Sequence, residues 1–317
     1  MIDDGKSLNL IQRALDRKLG RDATAAAMAQ PEKMAPAPFP VEPAFIKRPA
    51  AAPVAPIAAV APASVTAQAA ATVKLNVGLL RRSGMIHPEI KTSTVANEYR
   101  NIKRKVLANA RDKQSRNLTN NLVMVTSTLP EEGKTFTSMN LALSIAAERD
   151  LEVLLIDSDL HRPSIGKFFE TAPRPGLSEL LLDASMSLAD VACRCESVPN
   201  LSVVFAGKHV DDAPELIAST RMRDFLLDIS QNAHNRLIVI DTPPSLTSFE
   251  PAILAAHVHQ TVMVISAQQA GRHQVEKALD AISACHNINL IFNKAPKWEQ
   301  RDGGYYYNYD ARVDQAS

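Results

Sequence analysis

The chain has 317 residues, with 35 Lys+Arg against 34 Asp+Glu and a formal charge of +1. That balance excludes a strongly basic nucleic-acid coat and an acidic disordered tail, and no nucleic-acid partner is expected. Three cysteines, Cys193, Cys195 and Cys285, are too few for a disulfide framework and suit a reducing compartment.

The chain opens Met1-Ile2-Asp3-Asp4-Gly5-Lys6, without the basic and then apolar regions of a secretory signal, so none is expected. Within residues 1–20, positions 7–19 predict a short amphipathic helix. Ser7 can cap it, Leu8, Ile11, Leu15 and Leu19 share a face, and Gly20 stops it. Residues 21–93 are expected to be a disordered Ala/Pro-rich linker, with nine of the twenty prolines between Pro31 and Pro62. Its uncharged stretch 50–73 is broken by Pro53, Pro56 and Pro62, and alanine is too weakly apolar to make it a membrane span. A globular domain is expected at 94–300, followed by a polar tail at 301–317.

The domain opens with a predicted helix at 94–113, with Tyr99, Ile102 and Val106 inward and Arg100, Lys103, Arg104, Lys105 and Arg111 on its basic remainder. Short apolar runs at 122–127, 152–157, 201–205, 237–241, 262–266 and 288–293 then predict buried strands. Helical segments at 134–149, 221–231 and 274–286 lie between them. The alternation predicts an α/β fold, a doubly wound, mostly parallel sheet with helices on both faces. His257 and His259, like Cys193 and Cys195, stand two apart without a second pair, so no structural zinc is expected. Trp298 is expected to cap the core.

Three strand ends carry chemistry. The first runs Thr126-Ser127-Thr128-Leu129-Pro130-Glu131-Glu132-Gly133-Lys134-Thr135 into a helix, the context of a phosphate-binding loop. Backbone N–H groups and the helix N-terminus would cradle phosphate, Lys134 would add a point charge, and the Thr135 hydroxyl would reach Mg²⁺. Thr128 stands where the strict pattern has glycine, which leaves Gly133 as the loop's one glycine. The second strand ends with Asp157 and Asp159, the later one with Asp241 before Thr242-Pro243-Pro244. One aspartate at a strand end is commonly a turn residue, but three such features in this order point to a P-loop NTPase with Mg²⁺. Four of the five tyrosines, Tyr305, Tyr306, Tyr307 and Tyr309, follow Gly303-Gly304 in the polar tail. They read as tethered hydroxyl nucleophiles, or alternatively as a peptide-binding aromatic tail.

The loop, the Asp157-Ser158-Asp159-Leu160-His161-Arg162-Pro163 segment, the Asp241-Thr242-Pro243-Pro244 segment and the tyrosine cluster together resemble the bacterial tyrosine kinases. More narrowly they resemble the cytoplasmic tyrosine autokinases of exopolysaccharide biosynthesis, including the exosortase-associated type. The resemblance spans roughly Thr94 to Tyr309, plus the short N-terminal helix. It implies an ATP- and Mg²⁺-dependent kinase that phosphorylates its own tyrosine cluster in trans and so regulates exopolysaccharide synthesis and export. The implied catalytic residues are Lys134, Asp157, Asp159 and Asp241, with Thr135, Asp157 and Asp241 at the metal. Pro130, Glu131, Glu132, Gly133, Lys134, Thr135 and Phe136, with Arg162 and Asn293, would hold ATP, Asn293 at the adenine. Tyr305, Tyr306, Tyr307 and Tyr309 would be the acceptors, and Glu98, Arg100 and Lys103 would build a homo-oligomer. The implied partners are a membrane polysaccharide chain-length regulator, which would recruit the cytoplasmic protein to the plasma membrane, and a phosphotyrosine phosphatase.

Departures from the family pattern are specific. Glu131 replaces a glycine, His161 replaces an arginine, and the oligomerisation helix reads Asn97, Arg100 and Lys103 with Glu98 beside them. Septum-site and plasmid-partition ATPases, nucleotide switches without kinase activity, share the fold. They carry a lysine five residues before the loop lysine, where this chain has Leu129. An adaptor that has lost catalysis is a third reading, motivated by Glu131 and the missing glycine.

Overall fold

The structure, a computed structural model, describes residues 71–89, 93–111, 119–231 and 235–295. The 7–19 segment, the linker before residue 71, Trp298 and the tyrosine tail lie outside these residues. Among the described residues no helix is long and apolar enough to cross a membrane.

Among the described residues nine strands form one sheet: β1 Ala71–Leu75, β2 Leu122–Ser127, β3 Glu152–Asp157, β4 Phe169–Glu170, β5 Ala192–Cys195, β6 Leu201–Val204, β7 Arg236–Asp241, β8 Gln260–Ser266 and β9 Asn287–Asn293. Their order is β4-β1-β5-β6-β3-β7-β2-β8-β9. From β6 through β9 every neighbour is parallel, whereas β5 runs against β6 and β4 against β1. The central strands β2, β3, β7 and β8 are buried along nearly their whole length because alternate side chains enter two different cores. Val153 and Leu155 of β3 pack on one face, and Leu154 and Ile156 on the other.

The first face is covered by α1 Val77–Arg82, α2 Thr94–Ala110 and α3 Lys134–Ala146. The second carries α4 Leu177–Leu182, α5 Leu188–Val191, α6 Ala213–Ile217, α7 Thr220–Gln231, α8 Glu250–Ala255 and α9 Arg272–Ala281. Ser93 caps α2, its Oγ accepting from the Ala96 N–H at 3.0 Å. Ala96, Tyr99, Lys103 and Val106 form its buried face, at helical spacing. The Tyr99 hydroxyl donates to Thr137 Oγ1 at 3.2 Å, and its ring meets Phe136 edge-on.

Two expectations change here. The domain starts before residue 94: β1 pairs with β5 and β4, and α1 buries Leu80 completely, so residues 71–89 belong to the fold rather than to a linker. The Val73/Leu75 alternation drives this, since those two side chains point inward while Thr72 and Lys74 point out. Asn140 Oδ1 accepts from the Ile86 N–H at 2.7 Å and ties the segment to α3. Lys103, expected to face a neighbouring copy, turns inward. Its ammonium donates to the Ser144 carbonyl at 3.1 Å and to Glu148 at 2.5 Å, because position 103 shares a helix face with Tyr99 and Val106. Glu98 and Arg100 remain on the exposed side. The Cys193/Cys195 spacing is strand periodicity, both thiols being buried in β5.

Candidate functional site

Strand order brings the chemistry together. β7 lies between β2 and β3, so their three carboxyl ends open on one crevice. Asp157 and Asp241 are direct partners in the parallel register, with Asp159 two residues beyond.

The β2–α3 loop is held by its own side chains. Glu132 is fully buried; its Oε2 accepts from the Leu129 N–H at 2.7 Å and its Oε1 from the Ser266 N–H at 3.0 Å. Its carboxylate is therefore a strut, leaving its backbone N–H as what it can offer a ligand. Glu131 is exposed, so its carboxylate does not enter the loop, but its backbone is left-handed at φ 64°. Gly133 has φ 102°, and a Cβ there would lie 2.1 Å from Asn293 Nδ2. Only glycine satisfies both constraints. The Thr128 hydroxyl, at the pattern's missing glycine, is buried without a hydrogen-bond partner.

Lys134 opens α3, and its ammonium lies 2.9 Å from Asp159 Oδ2 and 3.9 Å from Asp241 Oδ2. Thr135 Oγ1 donates to Asp241 Oδ2 and Ser138 Oγ to Asp241 Oδ1, both at 2.8 Å. Asp157 Oδ2 accepts from the Ser164 and Ile165 N–H groups at 3.1 and 3.0 Å. Asp159 Oδ1 accepts from the Arg162 N–H at 2.9 Å, while the Arg162 side chain is exposed. Phe136 faces Tyr99 in the core rather than the crevice.

Charge is unbalanced in this crevice. Burial, with the Asp241 carboxylate beside it, pushes Asp157 up to about 7. Burial also raises Asp241, against the opposing pull of Lys134, Thr135 and Ser138. Burial works to lower Lys134, but Asp241 and Asp159 outweigh it and hold the ammonium above its ordinary value. Three carboxylates around one ammonium favour an added cation, and the Thr135 hydroxyl stands among them. Among the described residues no three or more His, Cys, Asp or Glu side chains form a complete cage. Mg²⁺ takes one or two carboxylates and completes its shell with phosphate and water, and the paired Asp157 and Asp241 with the Thr135 hydroxyl beside them fit that donor set.

The expected residues Lys134, Thr135, Asp157, Asp159 and Asp241 thus meet in one place. Asn293, expected at an adenine, donates from Nδ2 to the Glu132 carbonyl at 2.8 Å. Sequence reasoning missed Ser138, one turn along α3 from Lys134, and Ser164, whose Oγ is 2.7 Å from Thr135 Oγ1. It also missed Glu250, fully buried, with Oε1 unpartnered and 4.0 Å from His161 Nε2. The i, i+4 step from Lys134 was the available signal for Ser138; Ser164 and Glu250 had none.

Residues 119–291, over half of the chain, match the family described as ParA: NUBPL iron-transfer P-loop NTPase. Tyrosine-protein kinase CpsD of Streptococcus agalactiae is 32% identical over 196 residues, which cover 61% of this chain and 83% of that protein. Tyrosine-protein kinase ptk of Acinetobacter johnsonii is 34% identical over 161 residues, 51% of this chain, and the chain spans only 21% of its length. Among solved structures, the VpsO kinase domain is 30% identical with a TM-score of 0.52, covering 63% of this chain and 97% of that domain.

Proposed function

Because the chain belongs to the ParA-type P-loop NTPases and, among them, to the bacterial tyrosine-protein kinases, we propose that it transfers the γ-phosphoryl group of ATP to tyrosines of neighbouring copies of itself. The observation that carries this reading is Lys134 held between Asp159 and Asp241 at the end of the β2–α3 loop. The acceptors are Tyr305, Tyr306, Tyr307 and Tyr309.

In this reading the N–H groups of the loop and the α3 N-terminus receive the phosphates. Lys134 exchanges its ion pair with Asp159 for the β- and γ-phosphate oxygens. Asp159, released, accepts the phenolic proton as the tyrosine oxygen bonds to γ-phosphorus and ADP departs. Thr135, Asp157 and Asp241 would hold Mg²⁺, which supplies Lewis acidity and neutralises charge developing on the phosphates. Ser138 and Ser164 orient Asp241 and Thr135. Catalysis is mainly positioning and charge neutralisation. Glu98 and Arg100 serve the homo-oligomer that makes transfer in trans possible. The protein acts in the cytoplasm, where a membrane polysaccharide chain-length regulator recruits it to the inner face of the plasma membrane, and a phosphotyrosine phosphatase resets it. Its output is control of exopolysaccharide synthesis and export.

Mass spectrometry after incubation with Mg-ATP tests this, with Lys134→Met and a phosphatase-treated sample alongside. Phosphate on Tyr305–Tyr309 in the wild type and none in the variant is expected. An unmodified tail in a wild type that binds ATP, with the regulator's cytoplasmic segment present, would leave a nucleotide switch as the better reading.

A further inference from the structure

The end of β9 reaches back onto the phosphate loop through two consecutive residues. Asn293 Nδ2 donates to the Glu132 carbonyl at 2.8 Å, and Lys294 Nζ donates to the Glu131 carbonyl at 2.6 Å. Lys294 itself adopts φ 54°, and Glu131 φ 64°; they are the two described residues other than glycine with positive φ. Such backbone is costly for both and persists only where the surroundings hold it. A trans peptide is planar, so its C=O and N–H point in opposite directions. Fixing the Glu131 carbonyl therefore aims the Glu132 N–H, and fixing the Glu132 carbonyl aims the Gly133 N–H. The anchored carbonyls face β9, so both N–H groups are turned to the opposite side of the loop. An ammonium on a carbonyl also polarises the whole amide, making its N–H a stronger donor.

We infer that Lys294 is a positioning residue for phosphate binding: by holding the Glu131 carbonyl it keeps a loop that has lost a glycine in its anion-binding shape. This rests on the nucleotide reading of the loop given above. Lys294 acts on the loop from outside, so its effect falls on phosphate groups whether or not a base is attached. Its side chain is exposed and outside both cores, so substitution leaves the fold intact.

The test is calorimetric titration of the full chain and its Lys294→Met and Lys294→Arg variants with Mg-ATP and with Mg-tripolyphosphate, each variant's melting temperature being recorded. Lys294→Met should weaken both ligands by a similar factor, roughly threefold to tenfold, as for a charge-assisted hydrogen bond partly screened by water. Lys294→Arg should recover most of the loss, and neither change should move the melting temperature appreciably. Weakening of ATP with tripolyphosphate unaffected would overturn the inference, because Lys294 would then serve the nucleoside. Unchanged binding of both ligands, or a loss that follows a lowered melting temperature, would also overturn it. A wild type that binds neither ligand would remove the nucleotide reading itself, and this inference with it.

Discussion

Asp157 faces Asp241 across two paired strands with both groups buried, and its pKa is pushed up to about 7. An unfolded aspartate titrates near ~4, so the folded value lies above the unfolded one. Such a group contributes stability that is full below about pH 4 and is lost as pH rises through about 7. At pH 8 the ligand-free protein therefore carries a destabilising carboxylate. Asp157→Asn, whose amide oxygen can still accept from the Ser164 and Ile165 N–H groups, should relieve it. In melts with EDTA present, the variant should be more stable at pH 8 by an amount on the order of a few kcal/mol, or roughly 5–10 °C. The gap should close toward pH 4. An equal difference at both ends of that range would show that packing, not charge, separates the two proteins. Tyrosine phosphorylation should fall in the same variant, a trade of activity against stability familiar at strained sites.

Among the elements, α1 gives the sharpest test of where the domain begins. Leu80 is fully buried against the first core although it lies in the stretch expected to be linker. Leu80→Ala should cost about 2–5 kcal/mol in urea unfolding with an unchanged slope; a cost below about 0.5 kcal/mol would return this segment to the linker. Of the six parallel strands from β6 to β9 in the sheet, the central ones were legible because burial on both faces makes them apolar runs. β9 was legible because Ile288, Leu290, Ile291 and Phe292 still form a short apolar run at the edge. β1, β4 and β5 were not: Thr72, Lys74 and Arg194 interrupt short strands with one wet face, and alanine-rich surroundings mask the Val73/Leu75 alternation. At the site, Lys134, Thr135, Asp157, Asp159 and Asp241 were legible because each sits in a short contiguous motif at a strand end. Ser164, Glu250 and the grip of Lys294 on Glu131 were not, because residues far apart in sequence meet there only after folding. Lys103 misled for a related reason. Its charge suggested a surface, yet its spacing from Tyr99 placed it inside, where the Ser144 carbonyl and Glu148 satisfy the ammonium.

For the whole molecule, the decisive quantity is charge. The unmodified chain carries a formal charge of only +1, whereas its candidate site gathers three carboxylates and one lysine in one crevice, two of the carboxylates paired with that lysine. An unmodified tyrosine tail can approach such a crevice with little electrostatic cost. Each phosphate adds about −1.5 to −2 charges, so modification of all four clustered tyrosines would shift the chain by roughly −6 to −8. On the proposed reading, a tail so charged would be repelled by the carboxylates it must approach, and the association proposed for transfer in trans should loosen. Sedimentation velocity with Mg-nucleotide present should therefore find the unphosphorylated protein in larger assemblies than the fully phosphorylated one. A variant with Tyr305, Tyr306, Tyr307 and Tyr309 all changed to Phe should stay assembled after incubation with ATP. Raising the salt should narrow the difference, since repulsion between exposed charges is screened within about 10 Å at 0.1 M and within about 3 Å at 1 M. Identical sedimentation before and after phosphorylation would mean that the tail's charge does not govern assembly, and release would have to be sought at the α2 face that carries Glu98 and Arg100.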